Sequence, residues 1–146
     1  MKTLRLTKTN FKKSDSYYLD YIGSDISKFD GHIEIEGNLG WVRFASISAS
    51  GCIIAEAGSG IKAGSGIKAG WGIEAGEGIK AGEGIEAGWG IVSGLAIRCK
   101  FNISVGLRVF AGVCWWRTIT EDEKEIECEK LLSGEVAYGT LKESKS

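Results

Sequence analysis

From Ser59 to Gly94 the apolar positions keep one beat: SGIKAG SGIKAG WGIEAG EGIKAG EGIEAG WGIVSG. Isoleucine recurs at every sixth residue, as Ile61, Ile67, Ile73, Ile79, Ile85 and Ile91. A small residue follows two places later: Ala63, Ala69, Ala75, Ala81, Ala87 and then Ser93. On an extended chain, residues two apart leave the same face. Each Ile and its Ala therefore point one way, and the residue between them points the other. That middle residue is Lys62, Lys68, Glu74, Lys80, Glu86 and Val92, which marks its face as the outer one. The flanking glycines permit positive φ and sharp corners at little steric cost. The unit is a very short strand plus a corner. A helix fits poorly, because glycine costs about 1 kcal/mol at each helix-interior position and a six-residue period leaves no stripe on a 3.6-residue helix. One unit cannot bury its isoleucine alone, whereas stacked coils can, so the short fixed period predicts a β-solenoid.

A longer period lies above the first. Trp71 and Trp89 are eighteen residues apart, as are Ser65 and Glu83, and Lys62 and Lys80. Three units per coil predict an all-β triangular prism with eighteen residues per turn and coils stacked at about 4.8 Å, the strand spacing. Identical isoleucines then stand above one another as ladders. The beat is audible from Ile33, in the pairs Ile33/Ile35, Leu39/Trp41 and Ala45/Ile47. Between Ile53 and Ile61 the spacing is eight, which implies a two-residue insertion at a corner. After Leu95 the register continues through Ile97, Ile103 and Val109, with Cys99, Val105 and Ala111 behind. The expected division is an N-terminal cap over 1–32, the solenoid over 33–113 and a C-terminal cap over 114–146. In the last part VCWWRTIT, EIECEKLL and EVAYGTLK read as a short antiparallel meander. A helix over EDEKEIECEKLL is the rival reading, and the LKESKS tail is expected to fray.

Composition adds little chemistry. The chain has 146 residues, 22 Gly and no Pro, so corners fall to glycine. Residues 1–32 carry a net charge of +2, 33–117 of +1 and 118–146 of −4, making the overall −1. No segment is basic enough to suggest general nucleic-acid binding. No apolar run is long enough to span a bilayer, and MKTLRLTKTNFKK lacks the apolar segment of a secretory signal. Cys52, Cys99, Cys114 and Cys128 make no CxxC pair. Cys99 falls in the register of the inward alanines, so a buried, reduced thiol and a cytoplasmic protein are expected.

The register sorts outward residues into columns. The corners carry Ser59, Glu77 and Leu95, then Ser65, Glu83 and Phe101, then Trp71, Trp89 and Leu107. Beside the Trp column lie Glu74, Val92 and Phe110, so this edge is largely apolar. It is either covered by a terminal segment or left to bind a partner, with Trp71 and Trp89 as anchors. Glu74, Glu77, Glu83 and Glu86 fall on adjacent coils and could meet a basic partner, or form a solvated face paired with Lys62, Lys68 and Lys80. His32, the only histidine, precedes the solenoid, and no Ser-His-Asp set can be assembled without it. Zinc-ligand spacings and phosphate-loop motifs are absent. No Asp occurs between Asp30 and Asp122, which excludes the calcium-binding β-roll repeat. These readings imply no catalytic residues, metal or cofactor.

The beat over residues 33–113 resembles the hexapeptide-repeat β-helix proteins, a group that includes acyltransferases and carbonic anhydrases. Their usual pattern sets a large aliphatic first and a small residue four later, whereas here Ala follows Ile by two. A bactofilin-like prism has the same coil length. The catalytic histidine of the acyltransferases, placed within the coils or on an inserted loop, has no counterpart here. The whole chain, with its GIKAG and GIEAG units and CWWR end, also resembles small repeat proteins of phages and mobile elements. Some compact phage proteins inhibit host defence, anti-CRISPR proteins among them. The resemblance implies a non-enzymatic solenoid that binds a host protein or ribonucleoprotein complex and makes no sequence-specific contact with nucleic acid. The alternatives it leaves are a self-assembling, bactofilin-like element and an acyltransferase-like enzyme with a site between subunits.

Overall fold

The computed structural model describes residues 1–114 and 116–144. Trp115 of the CWWR stretch and residues 145–146 of the LKESKS tail lie outside the described residues. The described chain is strands and turns, with 3₁₀ turns at Lys8–Asn10 and Glu121–Lys124 and no α-helix. The N-terminal strands are β1 (Thr3–Leu6), β2 (Phe11–Lys13) and β3 (Tyr18–Tyr21). Coils follow as β4 (His32–Ile35), β5 (Gly40–Phe44), β6 (Ile47–Ala49), β7 (Ile53–Ala55), β8 (Ser59–Ala63) and β9 (Ile67–Ala69). The regular repeats give β10 (Ile73–Ala75), β11 (Ile79–Ala81), β12 (Ile85–Ala87), β13 (Ile91–Ser93) and β14 (Ile97–Cys99). The chain closes with β15 (Asn102–Ala111), β16 (Glu125–Cys128), β17 (Lys130–Tyr138) and β18 (Thr140–Glu143).

These strands stack into three faces, making a β-solenoid of about seven turns. The first face runs β1, β4, β7, β10, β13 and the second half of β15. The second runs β6, β9, β12 and the first half of β15, which bends round the corner between the two faces at Gly106 and Leu107. The third runs β3, β5, β8, β11, β14, β16 and β18. Every rung from β4 to β14 is parallel to its neighbours. Ile73 faces Ile91, Ile79 faces Ile97 and Ile85 faces Ile103, so the regular coil has the expected eighteen residues. Earlier coils are longer: Ile33 faces Ile53 and Ile53 faces Ile73.

The core is three aliphatic ladders. Ile61, Ile79 and Ile97 are at most 1% exposed, and the alanines Ala63 and Ala81 behind them at most 3%. Burying each isoleucine contributes roughly 1.5–3 kcal/mol relative to leaving it in water. On β5 the inward pair is Val42 and Phe44, not Leu39 and Trp41, because the longer corner before β5 shifts the register. Ile47 points in with Ala49, while Ala45 is exposed at the corner. The two-residue insertion between Ile53 and Ile61 is present. Gly58 turns there with φ +84°, under Asn38 at φ +60°, and the Asn38 N–H donates to the Ala57 carbonyl at 2.9 Å. Ser59, expected outside, is buried and donates to the Glu36 carbonyl at 2.6 Å.

Glycine serves the regular corners differently from expectation. Positive φ occurs at Gly31, Gly40, Gly58, Gly112, Gly134 and Gly139, all outside the perfect repeats. Within the repeats the requirement is close approach. A Cβ on Gly82, Gly88 or Gly94 would stand 2.0 Å from the carbonyl oxygen of Gly64, Gly70 or Gly76, one coil earlier.

The ends are built differently. At the N-terminal end β2 and β3 form an antiparallel pair. Phe11 packs edge-on against Tyr21 and Phe44 with centroids 5.8 Å away. At the C-terminal end residues 125–143 supply strands as expected, and their registers are parallel: β16 on β14, β18 on β16 and β17 on β15. They therefore add rungs to the stack rather than folding side by side as a meander. The exposed edge of each preceding coil supplies unpaired backbone groups, and a parallel rung satisfies them. VCWWRTIT is no strand in its described residues but part of the loop that returns the chain to the third face. The rival helix reduces to the 3₁₀ turn Glu121–Lys124, followed at once by β16.

Candidate functional site

The third corner gathers the tryptophans. It joins the end of each second-face strand to the start of the next first-face strand. The Trp71 N–H donates to Gly51, Trp89 to Trp71 and Leu107 to Trp89, the last two at 2.7 Å, so the corner has its own backbone ladder. The stacking distance of the coils then brings the indoles together. Trp71 and Trp89 lie parallel, with centroids 5.1 Å apart and planes 9° from each other. His32 meets the other side of Trp71 edge-on at 4.8 Å. Its Nδ1 accepts the Cys52 N–H at 2.9 Å, so the histidine fastens the first coil to the next.

Trp71 is half-buried between these neighbours, while Trp89 is 54% and Leu107 64% exposed. The apolar surface continues onto the first face. There the outward position passes from Ile54 through Glu74 and Val92 to Phe110, opposite Tyr138. Part of this face is overhung by the loop after β15. Val113 and Trp116 wall a groove of about 380 Å³ whose floor includes Ile54, Glu74 and Val92. A second groove of about 490 Å³, between Phe110, Val113, Cys114 and Tyr138, opens beside it. The Trp89–Leu107 corner itself is not covered by the described residues.

The acids do not form one patch. Glu74 lies on the first face and Glu86 on the second, one on each flank of the Trp corner. Glu86 is 3.7 Å from Lys68 of the preceding coil. Glu77 and Glu83 stand on the other two corners, where their N–H groups bond Ser59 and Ser65. The paired, solvated reading therefore describes Glu86, and the edge has Glu74 as the acid set among its apolar residues.

All four cysteines are free thiols. Cys99 stacks under Ala81 as expected, and is half-buried. Burial, reinforced by the neighbouring Cys128 thiol, pushes Cys99 up to about 12, and burial pushes Cys128 up to about 11. Both stay protonated and poorly nucleophilic. Among the described residues no group of three His, Cys, Asp or Glu is placed to hold a metal ion. No helix is long and apolar enough to cross a membrane among the described residues.

Sequence spacing found Trp71, Trp89 and Leu107 because all sit on the eighteen-residue period. It missed Val113, Trp116 and Tyr138, which arrive from outside the repeat. No protein-family model, curated protein or solved structure matches the chain.

Proposed function

We propose that this β-solenoid is a non-enzymatic protein-binding scaffold, and that it docks through the corner of Trp89 and Leu107 and the adjoining strip of Val92, Phe110 and Tyr138. The observation that carries this reading is the exposure of two large apolar side chains on consecutive coils, both borne on the backbone ladder of the corner, with the Trp89 ring stacked on Trp71. An aromatic anchor already held in place loses little side-chain entropy on binding, and such residues dominate interface energetics. Glu74, within the strip, favours a partner that offers a cation at that point. The specific form of the proposal is a phage-type inhibitor that occupies a surface of a host defence nuclease complex. A rigid rod of stacked coils suits blocking by occupancy, which needs no chemistry of its own.

The test is affinity capture from host-cell lysate with wild type and a Trp89→Ala/Leu107→Ser variant, followed by reconstitution with the purified partner. The proposal expects a nuclease-complex subunit that is captured by wild type, weakened at least about 30-fold by the variant (2 kcal/mol or more for an anchor pair) and inhibited on binding. Equal capture by both proteins overturns the surface. Capture of the protein's own copies alone, with no inhibition, overturns the function.

A further inference from the structure

The third face carries a surface that the charge totals hide. Its outward positions on four consecutive coils are Arg43, Lys62, Lys80 and Arg98. The strand spacing sets these backbone positions about 4.8 Å apart in one column. Carboxylates hold the two ends: Arg43 Nε lies 2.6 Å from Asp20, and Arg98 lies 3.6 Å from both Glu125 and Glu127. Lys62 bonds the Tyr18 hydroxyl at 3.2 Å, and the Tyr18 ring lies between the Lys62 and Arg43 cations, 4.4 and 4.7 Å from its centroid. Among the described residues neither Lys62 nor Lys80 has a carboxylate within ion-pair distance.

An aromatic shelf adjoins the column. Trp41 is opposite Gly60 in the register, and its indole reaches across two coils. A Cβ on Gly60 or Gly78 would meet that ring at 3.1 or 2.8 Å. These glycines lie two residues before Lys62 and Lys80 on the same strands or their approach, so the half-buried ring lies on the coils that carry both lysines, toward the corner side of the column. Glu77 and Glu83 border the column at the two corners, three residues either side of Lys80. They confine the positive charge to the width of one strand.

We propose that this face binds single-stranded nucleic acid, with Lys62 and Lys80 on neighbouring phosphates and Trp41 stacking a base. A single row of cations beside an aromatic ring matches one phosphate backbone whose bases are free to stack. A duplex presents two phosphate rows, and its second row would meet the acidic borders. An acidic peptide would use the cations and leave the ring without a role. The proposal stands independently of the protein-binding corner, which lies on the opposite edge of the prism.

The test is fluorescence anisotropy with fluorescein-labelled strands of about twelve nucleotides, DNA and RNA, within the site sizes of single-strand binders. The matching duplex and poly-glutamate serve as competitors. Binding should weaken as salt rises. Lys62→Gln/Lys80→Gln should lower affinity about 10-fold or more and reduce the log–log salt slope by about 1.4, at about 0.7 for each phosphate no longer neutralised. Trp41→Leu should weaken binding and leave that slope unchanged, since stacking releases no counterions. Circular dichroism checks that the variant is folded, and the lysine variant carries the test if it is not. No binding at about 50 mM salt, where electrostatic affinity is strong, overturns the proposal, as does an unchanged affinity in the lysine variant. Tighter binding of the duplex, or displacement by poly-glutamate at equal charge, overturns the single-strand assignment.

Discussion

At the residue scale, the repeat is governed by how closely successive corners approach. From Gly70 through Gly94, the glycine that closes each repeat is required because a carbonyl oxygen of the preceding coil lies where its Cβ would go, whereas a Cβ on Gly64 would meet its nearest atom at 3.5 Å. Gly88→Ala should therefore destabilise by about 1–3 kcal/mol, the range for overpacking. Gly72→Ala, whose Cβ would meet its nearest atom at 3.5 Å, should cost no more than about 0.5 kcal/mol by comparison. Urea denaturation of the two variants checks the contrast, and equal losses would show that backbone freedom, not approach, is what glycine supplies. The tryptophans divide in the same way. Trp71 lies between His32 and Trp89, so Trp71→Ala should cost about 2–3 kcal/mol, whereas Trp89→Ala removes one stacked neighbour and a mostly exposed surface and should cost about 1 kcal/mol or less. A larger effect at Trp89 would make it a packing residue and weaken its role as an anchor.

At the element scale, each three-residue strand is stable only as a rung. Ile79 lies between Ile61 and Ile97 with 1% exposure, so Ile79→Ala should cost about 2–5 kcal/mol and Ile79→Val about 0.5–1.5. Denaturation midpoints for the pair test whether the ladders are tightly packed. The return loop depends on charge. Arg117 forms two bonds with Glu123, at 3.0 and 2.6 Å. The guanidinium, with the Thr120 N–H, holds the Glu123 carboxyl at about 2 instead of its ordinary 4.5. A depressed carboxyl contributes fully above its ordinary value and loses that contribution as pH falls through the folded one. The loop should therefore loosen between about pH 4.5 and 2, read as faster amide exchange at 117–123, and Glu123→Gln should remove this dependence. An unchanged exchange rate across that window would contradict it. The ladders were legible from the six-residue beat alone, and so was the Trp corner. Val42 and Phe44 were not, because the corner insertions before them shift the count. The C-terminal rungs were hidden because the loop 112–124 separates them from the repeat, and the identity of a partner strand depends on which edge is open rather than on local pattern.

At the scale of the whole molecule, the coil period converts scattered residues into three faces of different character. Segment totals of charge concealed the column from Arg43 to Arg98. Lys62, Lys80 and Arg98 are eighteen apart and could have been read from the sequence, whereas Arg43 stands nineteen before Lys62 and falls off the beat. The apolar edge was legible as far as Leu107, and its extension to Tyr138 required the parallel register of β17. The central claim is that the protein acts through this edge, and photo-cross-linking tests it most directly. Leu107 is replaced by a photoreactive amino acid in one sample and Lys68, exposed on the second face, in another, and both are irradiated in host-cell lysate. The account predicts one dominant adduct to a partner protein from position 107 and none from position 68. Equal adducts from both positions, or adducts only to a second copy of this chain, would contradict it.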